Sequence, residues 1–372
     1  MKQIKYIGFY NNFTSQSLNS NLSAVNKMNY LTKILNEINI NVHLISTSWT
    51  TKSKVENRQD ELNGNVYQYF KSRSFQPKIF DILYKLFFLV KINLLIMLSV
   101  KTKEKVVIYH SPFHFLLIIL LRIKGAHVIL EVEEIYYEVW NKYRKTKYME
   151  YLCFLLANEY LLVSNNMVKH LPKKRYILFE GAYGVRNSNT IIKDNEKIRI
   201  VYAGSIEKTK NAAFIAVETS RYLTDYYEVS IIGYGEENCV KELEEKINQL
   251  PQTGIAKCQY IGSMSQEMLD IELQKYHIGL NSQLLGSYME SAFPSKLLVY
   301  LSNGLQVVST PVKSVVNSNF GDYLIFSTSD SPMSIAKAIN NARIDKFNVA
   351  DEFLMYKESE FKESIYNIIK SN

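Results

Sequence analysis

Short runs of β-branched and aromatic residues alternate along this chain with longer segments whose apolar residues recur at helical spacing, and the alternation runs twice. The first round opens with Ile4 to Tyr10 and passes through the polar loop N-N-F-T-S-Q-S-L-N-S-N. It continues with Leu22, Val25, Met28, Leu31, Ile34 and Leu35, then a strand from Val42 to Ser46. Strand, loop, helix, strand is the opening unit of a parallel sheet, because parallel neighbours need a crossover long enough to carry a helix. Further strands are expected at Val66 to Phe70, Lys105 to Tyr109, Ala126 to Val132, Leu161 to Ser164 and Tyr176 to Phe179, with a helix from about Phe113 to Lys124. The apolar rhythm lapses from Gly181 to Lys197, a polar stretch of the kind that separates domains.

The second round starts at once. Strands are expected at Ile198 to Ala203, Val229 to Ile232, Gln259 to Ile261, Ile278 to Asn281 and Tyr323 to Phe326. Helices are expected from about Asn211 to Leu223, Glu237 to Leu250 and Gln266 to Gln274. A tail with Phe353, Tyr356, Phe361, Ile365 and Ile368 reads as an amphipathic helix that packs back onto the first domain. At 372 residues the chain is long for one core. The expected organisation is therefore α/β with two Rossmann-like domains, 1–185 and 198–345, and a returning helix at 350–372. Two such domains facing one another imply a cleft at the carboxyl ends of their strands.

The stretch F-P-S-K-L-L-V-Y-L-S-N-G-L-Q-V-V-S-T, from Phe293 to Thr310, has the parts of a phosphate-binding device. Pro294 and Ser295 suit the opening of a helix, and Lys296 falls in the first turn, where free backbone N–H groups already favour an anion. Leu297, Leu298 and Leu301 can face a sheet, and Gly304 suits the left-handed cap before Leu305 to Val308 resumes as a strand.

Charge narrows the partners. The excess of 44 Lys and Arg over 36 Asp and Glu is +8 and mostly spread out, which does not describe a nucleic-acid binder. One stretch does concentrate it: Lys71, Arg73, Lys78, Lys85, Lys91, Lys101, Lys103 and Lys105, against Asp81 and Glu104. Within it, Ile79 to Val100 is apolar enough to raise the question of a membrane. Asp81, Lys85, Lys91 and Asn93 interrupt it, which argues against a spanning helix. At about 100° per residue, Lys78, Asp81, Lys85 and Asn93 share one side and Lys91 lies nearly opposite. Two readings stay open: a core helix with a solvated edge, or an interfacial helix touching anionic lipid.

Cys153, Cys239 and Cys258 lie far apart and read as packed thiols in a reducing cytosol. The N-terminus reads as a first strand, not a signal peptide. His110 and His114 flank Pro112 with no companion carboxylate nearby in sequence, so no metal pair is expected. Gly is only 14 of 372 and no G-x-G-x-x-G follows the first strand, which disfavours a dinucleotide dehydrogenase.

I-V-Y-A-G-S-I-E-K-T-K-N at 200–211, V-S-I-I-G-Y-G-E-E at 229–237 and the Phe293 stretch together resemble the donor half of a GT-B glycosyltransferase. The similarity is greatest to the retaining family 4 group that builds bacterial surface polysaccharides. In the first domain it rests on the initial strand and loop, on Y-H-S-P-F at 109–113 and on V-I-L-E-V-E-E-I-Y at 128–136. The resemblance implies that Gly204, Ser205 and Lys210 hold the donor diphosphate, with Ser205 where the family usually has Arg. It places Gly233 and Gly235 at the nucleotide wall. It puts Glu290 and Ser291 at the first glutamate of the family's E-x7-E segment and Val299 at the second, while Pro294, Ser295, Lys296 and Leu297 line the phosphate end.

It further implies that His110 meets the transferred sugar, that Asn21 lies in the loop near the phosphates, and that Glu133 and Glu134 stand where the family has His and Asp. Those two carboxylates divide evenly between an acceptor site and a structural ion pair. The implied activity is transfer of a sugar from a nucleotide-diphosphate donor to a glycan or lipid-linked acceptor, with retention and with no metal or other cofactor. The implied setting is cytoplasmic, with peripheral contact on the inner face of an anionic membrane. Ser205 and Val299 keep a second reading open, a non-catalytic GT-B-like partner subunit, and a sugar-nucleotide epimerase of similar architecture is a third.

Overall fold

The computed structural model describes residues 2–11, 18, 22–50, 54–139, 146–185, 197–286, 290–342 and 349–370. The chain divides into two compact units, one of Met1–Glu180 with Glu360–Asn372 and one of Gly181–Ser359.

The first unit is built on an eight-stranded sheet. Its strands are β1 (Lys2–Gly8), β2 (Ile40–Ser46), β3 (Arg58–Leu62), β4 (Asn65–Tyr69), β5 (Lys105–Tyr109), β6 (His127–Val132), β7 (Glu159–Leu162) and β8 (Tyr176–Leu178). They lie in the order β8-β7-β6-β5-β1-β2-β4-β3, with every neighbouring pair parallel except β3 and β4. The central strands are buried on both faces, as Ile4, Tyr6, Ile7, Val106, Val107 and Ile108 show. Parallel strands covered on both faces by helices read as near-continuous apolar runs. The helix Leu22–Glu37 buries Val25, Met28, Leu31, Ile34 and Leu35, the set its spacing marks out.

Strand β3 is not among the expected strands. R-Q-D-E-L has one apolar residue and gives no alternation, and its position is set by Asn63 and Gly64 at φ 52° and 77°. Two left-handed residues in a row are what a two-residue hairpin requires, so the readable signal was the N-G turn.

The helix over Ile79 to Val100 is Lys78–Ser99, and it reverses the expected solvated edge. Asn93 is 1% exposed, while Asp81 and Lys85 pair with each other at 2.5 Å on the half-buried side. The apolar positions Ile79, Leu83, Phe87, Val90, Leu94 and Leu98 point outward instead. The polar residues of this helix are turned toward the unit because Asp81 also accepts the Phe75 N–H at 3.0 Å and Lys85 lies over the Trp49 ring.

The second unit carries a six-stranded sheet of β9 (Ile198–Ala203), β10 (Tyr227–Ile232), β11 (Lys257–Gly262), β12 (Ile278–Asn281), β13 (Gln306–Ser309) and β14 (Leu324–Phe326). The order is β11-β10-β9-β12-β13-β14 and all its pairings are parallel. This is the Rossmann order, read as 3-2-1-4-5-6. The core packs Ile200, Tyr202, Val217, Val229, Ile231, Leu243 and Leu280 between sheet and helices.

The terminal helix Asp351–Lys370 belongs to the first unit from Glu360 onward. Phe361 stacks on Phe179 at 4.6 Å, Ile365, Ile368 and Ile369 are buried, and Lys362 pairs with Glu37 at 2.7 Å.

Candidate functional site

In an open parallel sheet a ligand crevice forms where the strand order reverses, outside the carboxyl ends. In the second unit that point lies between β9 and β12. Their pairing ends at Val201–Gly279, whereas β9 stays paired with β10 through Ala203–Ile232. The two strands therefore part company before their ends, and one side chain fills the gap. The Tyr300 hydroxyl accepts the Ala203 N–H at 2.7 Å, and Tyr300 itself is fully buried. Its ring occupies the space beside Gly279, where a Cβ would come within 2.3 Å of it. Any larger residue at 279 would collide with the Tyr300 ring.

The loop after β9 carries the charge. Lys210 is half-buried and 3.4 Å from Glu207. Lys208, its neighbour in the same motif, is exposed and pairs with Glu242, so the two lysines do not compete for one role. Lys296, the first residue of the helix Lys296–Ser302, places its ammonium 4.0 Å from the centre of the Tyr202 ring. Among the described residues no carboxylate pairs with Lys296. Burial first, and the nearby Lys210 charge second, push its ammonium down to about 7. Two cations are thus gathered beyond the end of β9, and the one carboxylate paired there, Glu207, is on Lys210, an arrangement that an incoming anion would relieve. Tyr202 supports both sides of this loop, since its hydroxyl donates to the Ser205 carbonyl at 3.0 Å beneath Gly204. Cation–π contact with this buried ring holds Lys296 in place.

Other predicted donor residues fall around this point with structural partners. A Cβ at Gly233 would meet the Gly204 carbonyl oxygen at 1.8 Å, and one at Gly235 would meet the Ile206 carbonyl oxygen at 2.4 Å. These glycines are demanded by the contact between the loops after β9 and β10, where Ile206 N–H also donates to Tyr234 O at 2.8 Å. The stretch that opens the helix differs from expectation: Pro294 precedes the helix, Ser295 is its N-cap residue and makes no side-chain cap bond, and Leu297 is buried in the core. With seven residues the helix contributes little dipole, so Lys296 carries the charge. Glu290 is taken by Lys313 at 2.8 Å, Ser291 is buried, and Val299 offers no acceptor for a ribose.

The reversal in the first unit lies between β1 and β5. There the expectations need correcting. His110 does not line an open surface: it is 1% exposed, its Nε2 is 2.9 Å from Glu150 Oε1, and it packs between Tyr136 and Phe154. Glu150 is itself buried, accepting the N–H groups of Tyr136 and Tyr137 at 2.8 and 3.0 Å, so His110 completes a buried cap. Glu133 is the ion-pair partner of Lys27, a buried lysine that also donates to Phe179 O at 2.5 Å and covers the Phe179 ring. Glu134 is half-buried beside it. Burial and the nearby Glu133 charge push the Glu131 carboxyl up to about 8, and Tyr6 donates its hydroxyl to it. His114 is held between Thr47 Oγ1 and Tyr109 O, each at 2.9 Å, and burial lowers it to about 4. Asn21 lies outside the described residues. Among the described residues no group of three or more His, Cys, Asp or Glu gathers as metal ligands.

What lines the end of this sheet is aromatic. Trp49 meets Phe9 at 5.3 Å and Phe113 at 5.6 Å, and Phe9 stacks on His114 at 5.0 Å. Phe9, Trp49, Tyr202, Tyr300 and Gly279 were not singled out from the sequence. An aromatic residue at a strand end is as common in cores as in sites, and only the topology gathers Phe9 with Trp49 in the first unit and Tyr300 with Gly279 in the second.

No family model matches this sequence, and no curated protein matches it significantly. Solved structures do. The chain is similar over 100% of both chains to the α,α-trehalose-phosphate synthase (UDP-forming) of Burkholderia xenovorans in complex with glucose-6-phosphate, at TM-score 0.70 and 8% identity. It is similar to the trehalose-6-phosphate synthase OtsA at TM-score 0.70 and 8% identity, covering 100% of this chain and 99% of that one. Anabaena Alr3699/HepE in complex with UDP matches over 100% of both chains at TM-score 0.63 and 12% identity. At such identities the likeness carries architecture alone, and that architecture is the GT-B fold of two Rossmann-like α/β units.

Proposed function

We propose that this chain is a glycosyltransferase that moves a sugar from a nucleotide-diphosphate donor onto a glycan or lipid-linked glycan, with retention, at the cytoplasmic face of a membrane. The observation that carries the proposal is the meeting of Lys210 and Lys296 beyond the end of β9, where the sheet order reverses. A departing nucleoside diphosphate gains negative charge as the glycosidic bond breaks, and fixed cations stabilise that charge more in the transition state than in the substrate. Lys296, held by Tyr202, and Lys210, tethered by Glu207, are placed to do this. In the retaining reaction the leaving diphosphate oxygen takes the acceptor proton, so no protein base is needed. The UDP bound by HepE and the UDP-forming reaction of the trehalose-phosphate synthases support a nucleotide-sugar donor.

The test is incubation of the full chain with a panel of nucleotide-diphosphate sugars and glycan acceptors, with and without a chelator. Released nucleoside diphosphate, a product of unchanged anomeric configuration and indifference to the chelator are expected. An altered donor without release would make the protein an epimerase. Neither turnover nor donor binding would leave the partner reading that Ser205 and Val299 favour.

A further inference from the structure

The helix Lys78–Ser99 is long and apolar enough to cross a membrane by length and composition, yet it lies against the first unit through Phe88, Ile92, Asn93 and Ile96. Its polarity is inverted with respect to a soluble surface helix. Asp81, Lys85 and Asn93 are drawn inward, and Ile79, Phe80, Leu83, Leu86, Phe87 and Leu98 are each more than half exposed. A helix whose polar side faces the protein and whose apolar side faces outward is arranged for an apolar exterior.

The same surface continues sideways. The helix Phe115–Ile123 packs beside Lys78–Ser99, and the helix Lys147–Leu156 packs beside Phe115–Ile123. Lys124 closes the seam by donating to Met97 O at 2.7 Å and Leu98 O at 3.2 Å. On the outer rows Ile123 is 78% and Tyr148 82% exposed, with Tyr151, Leu152 and Leu155 also outward. The charges around this face are mostly basic. Arg73 and Lys78 lie exposed at one end of the long helix, Lys91 within it and Lys101 and Lys103 at the other, while Lys71 is paired with Glu56 at 3.1 Å. The two acids of the stretch are already spent, Asp81 on Lys85 and Glu104 on Lys5.

We propose that this face docks the protein on an anionic lipid bilayer, with Lys78–Ser99 lying in the plane of the interface. An apolar face seated among acyl chains with lysines at both ends among phosphate headgroups is the arrangement that binds such surfaces. The helix does not span, because its inner side is part of the core. Lys85 lies 6.0 Å from the centre of the Trp49 ring, so the inner side of the same helix borders the aromatic cluster at the end of β1 and β2. An acceptor carried on lipid would reach that cluster along the bilayer surface. This deepens the acceptor side of the function proposed above.

Flotation of the full chain with vesicles of phosphatidylcholine alone, and with added phosphatidylglycerol, tests it. The protein is expected to float with the anionic vesicles and to be released by salt. The variant Leu83→Glu/Phe87→Glu/Leu94→Glu, with all three changes on the outward side, is expected to lose binding by about tenfold or more while keeping its circular dichroism. Should that variant fold poorly, Lys91→Glu/Lys101→Glu/Lys103→Glu is expected to abolish the preference for anionic vesicles. Absence of the wild type from both vesicle types, or equal flotation of the variants, overturns the proposal. So does a dimer in sedimentation that the first variant breaks without any flotation, which would assign the face to a second copy. Flotation needs neither donor nor turnover, so this proposal and the transferase reading fail independently.

Discussion

At the scale of single residues, the candidate site is defined by two neighbouring lysines, of which Lys210 has the Glu207 carboxylate beside it. Lys210→Ala is expected to weaken nucleoside-diphosphate binding by about 1.5–3 kcal/mol, the worth of a hydrogen bond to a charged group. Titration calorimetry would show it, and unchanged affinity would remove Lys210 from the site. Lys296 gives a pH signature. Its folded value of about 7 lies below the ordinary 10.5. Between those values the folded chain holds fewer protons than the unfolded chain, so this residue makes stability rise with pH across that window. Melting temperatures of Lys296→Met should lack that rise. A bound diphosphate restores the ammonium, so donor binding above about pH 7 should take up a proton, and calorimetry in buffers of differing ionisation enthalpy measures it. The motif that contains both Lys208 and Lys210 was legible in the sequence. Which of the two faces the other cation was not, because the answer depends on Glu242 from a different helix.

At the scale of elements, the parting of β9 and β12 sets the geometry of the crevice, and the Tyr300–Gly279 contact sets the parting. Tyr300→Phe leaves the Ala203 N–H without its acceptor and should cost about 1–3 kcal/mol, measured by urea unfolding. Gly279→Ala is expected to be no milder, because its Cβ meets the ring itself and not the hydroxyl. Equal stability of the two variants and the wild type would show that the strand ends separate without this contact. Most helices and strands were legible, since their periodicities follow from burial on one face or two, but the helices Lys147–Leu156 and Pro332–Asn340 were not among those expected. Strand β3 escaped because an edge strand that is solvated needs no apolar alternation. The polarity of Lys78–Ser99 escaped for a related reason: a helical wheel shows which residues share a side, not which side meets the protein.

At the scale of the molecule, the chain crosses from the second unit back to the first in its final helix. Phe361→Ala removes a buried ring stacked on Phe179, and a loss of about 3–5 kcal/mol is expected for such a cavity. The loss should fall on the first unit, leaving nucleotide affinity of the second unchanged. Urea unfolding followed together with calorimetry separates the two. A fall in nucleotide affinity equal to the loss of stability would mean that the units do not fold as separate cores.

The two rounds of alternation, and the order of most strands and helices within them, were settled by the sequence alone. Each is a local matter of which residues recur at which spacing, and local spacing is decided by backbone geometry. Tertiary structure decided the partners. It drew His110 and Glu133 into buried pairs with Glu150 and Lys27 and set Lys296 against Tyr202. It also turned an apolar helix outward. Those outcomes depend on groups distant in the chain competing for the same few buried positions, which no spacing along the sequence records.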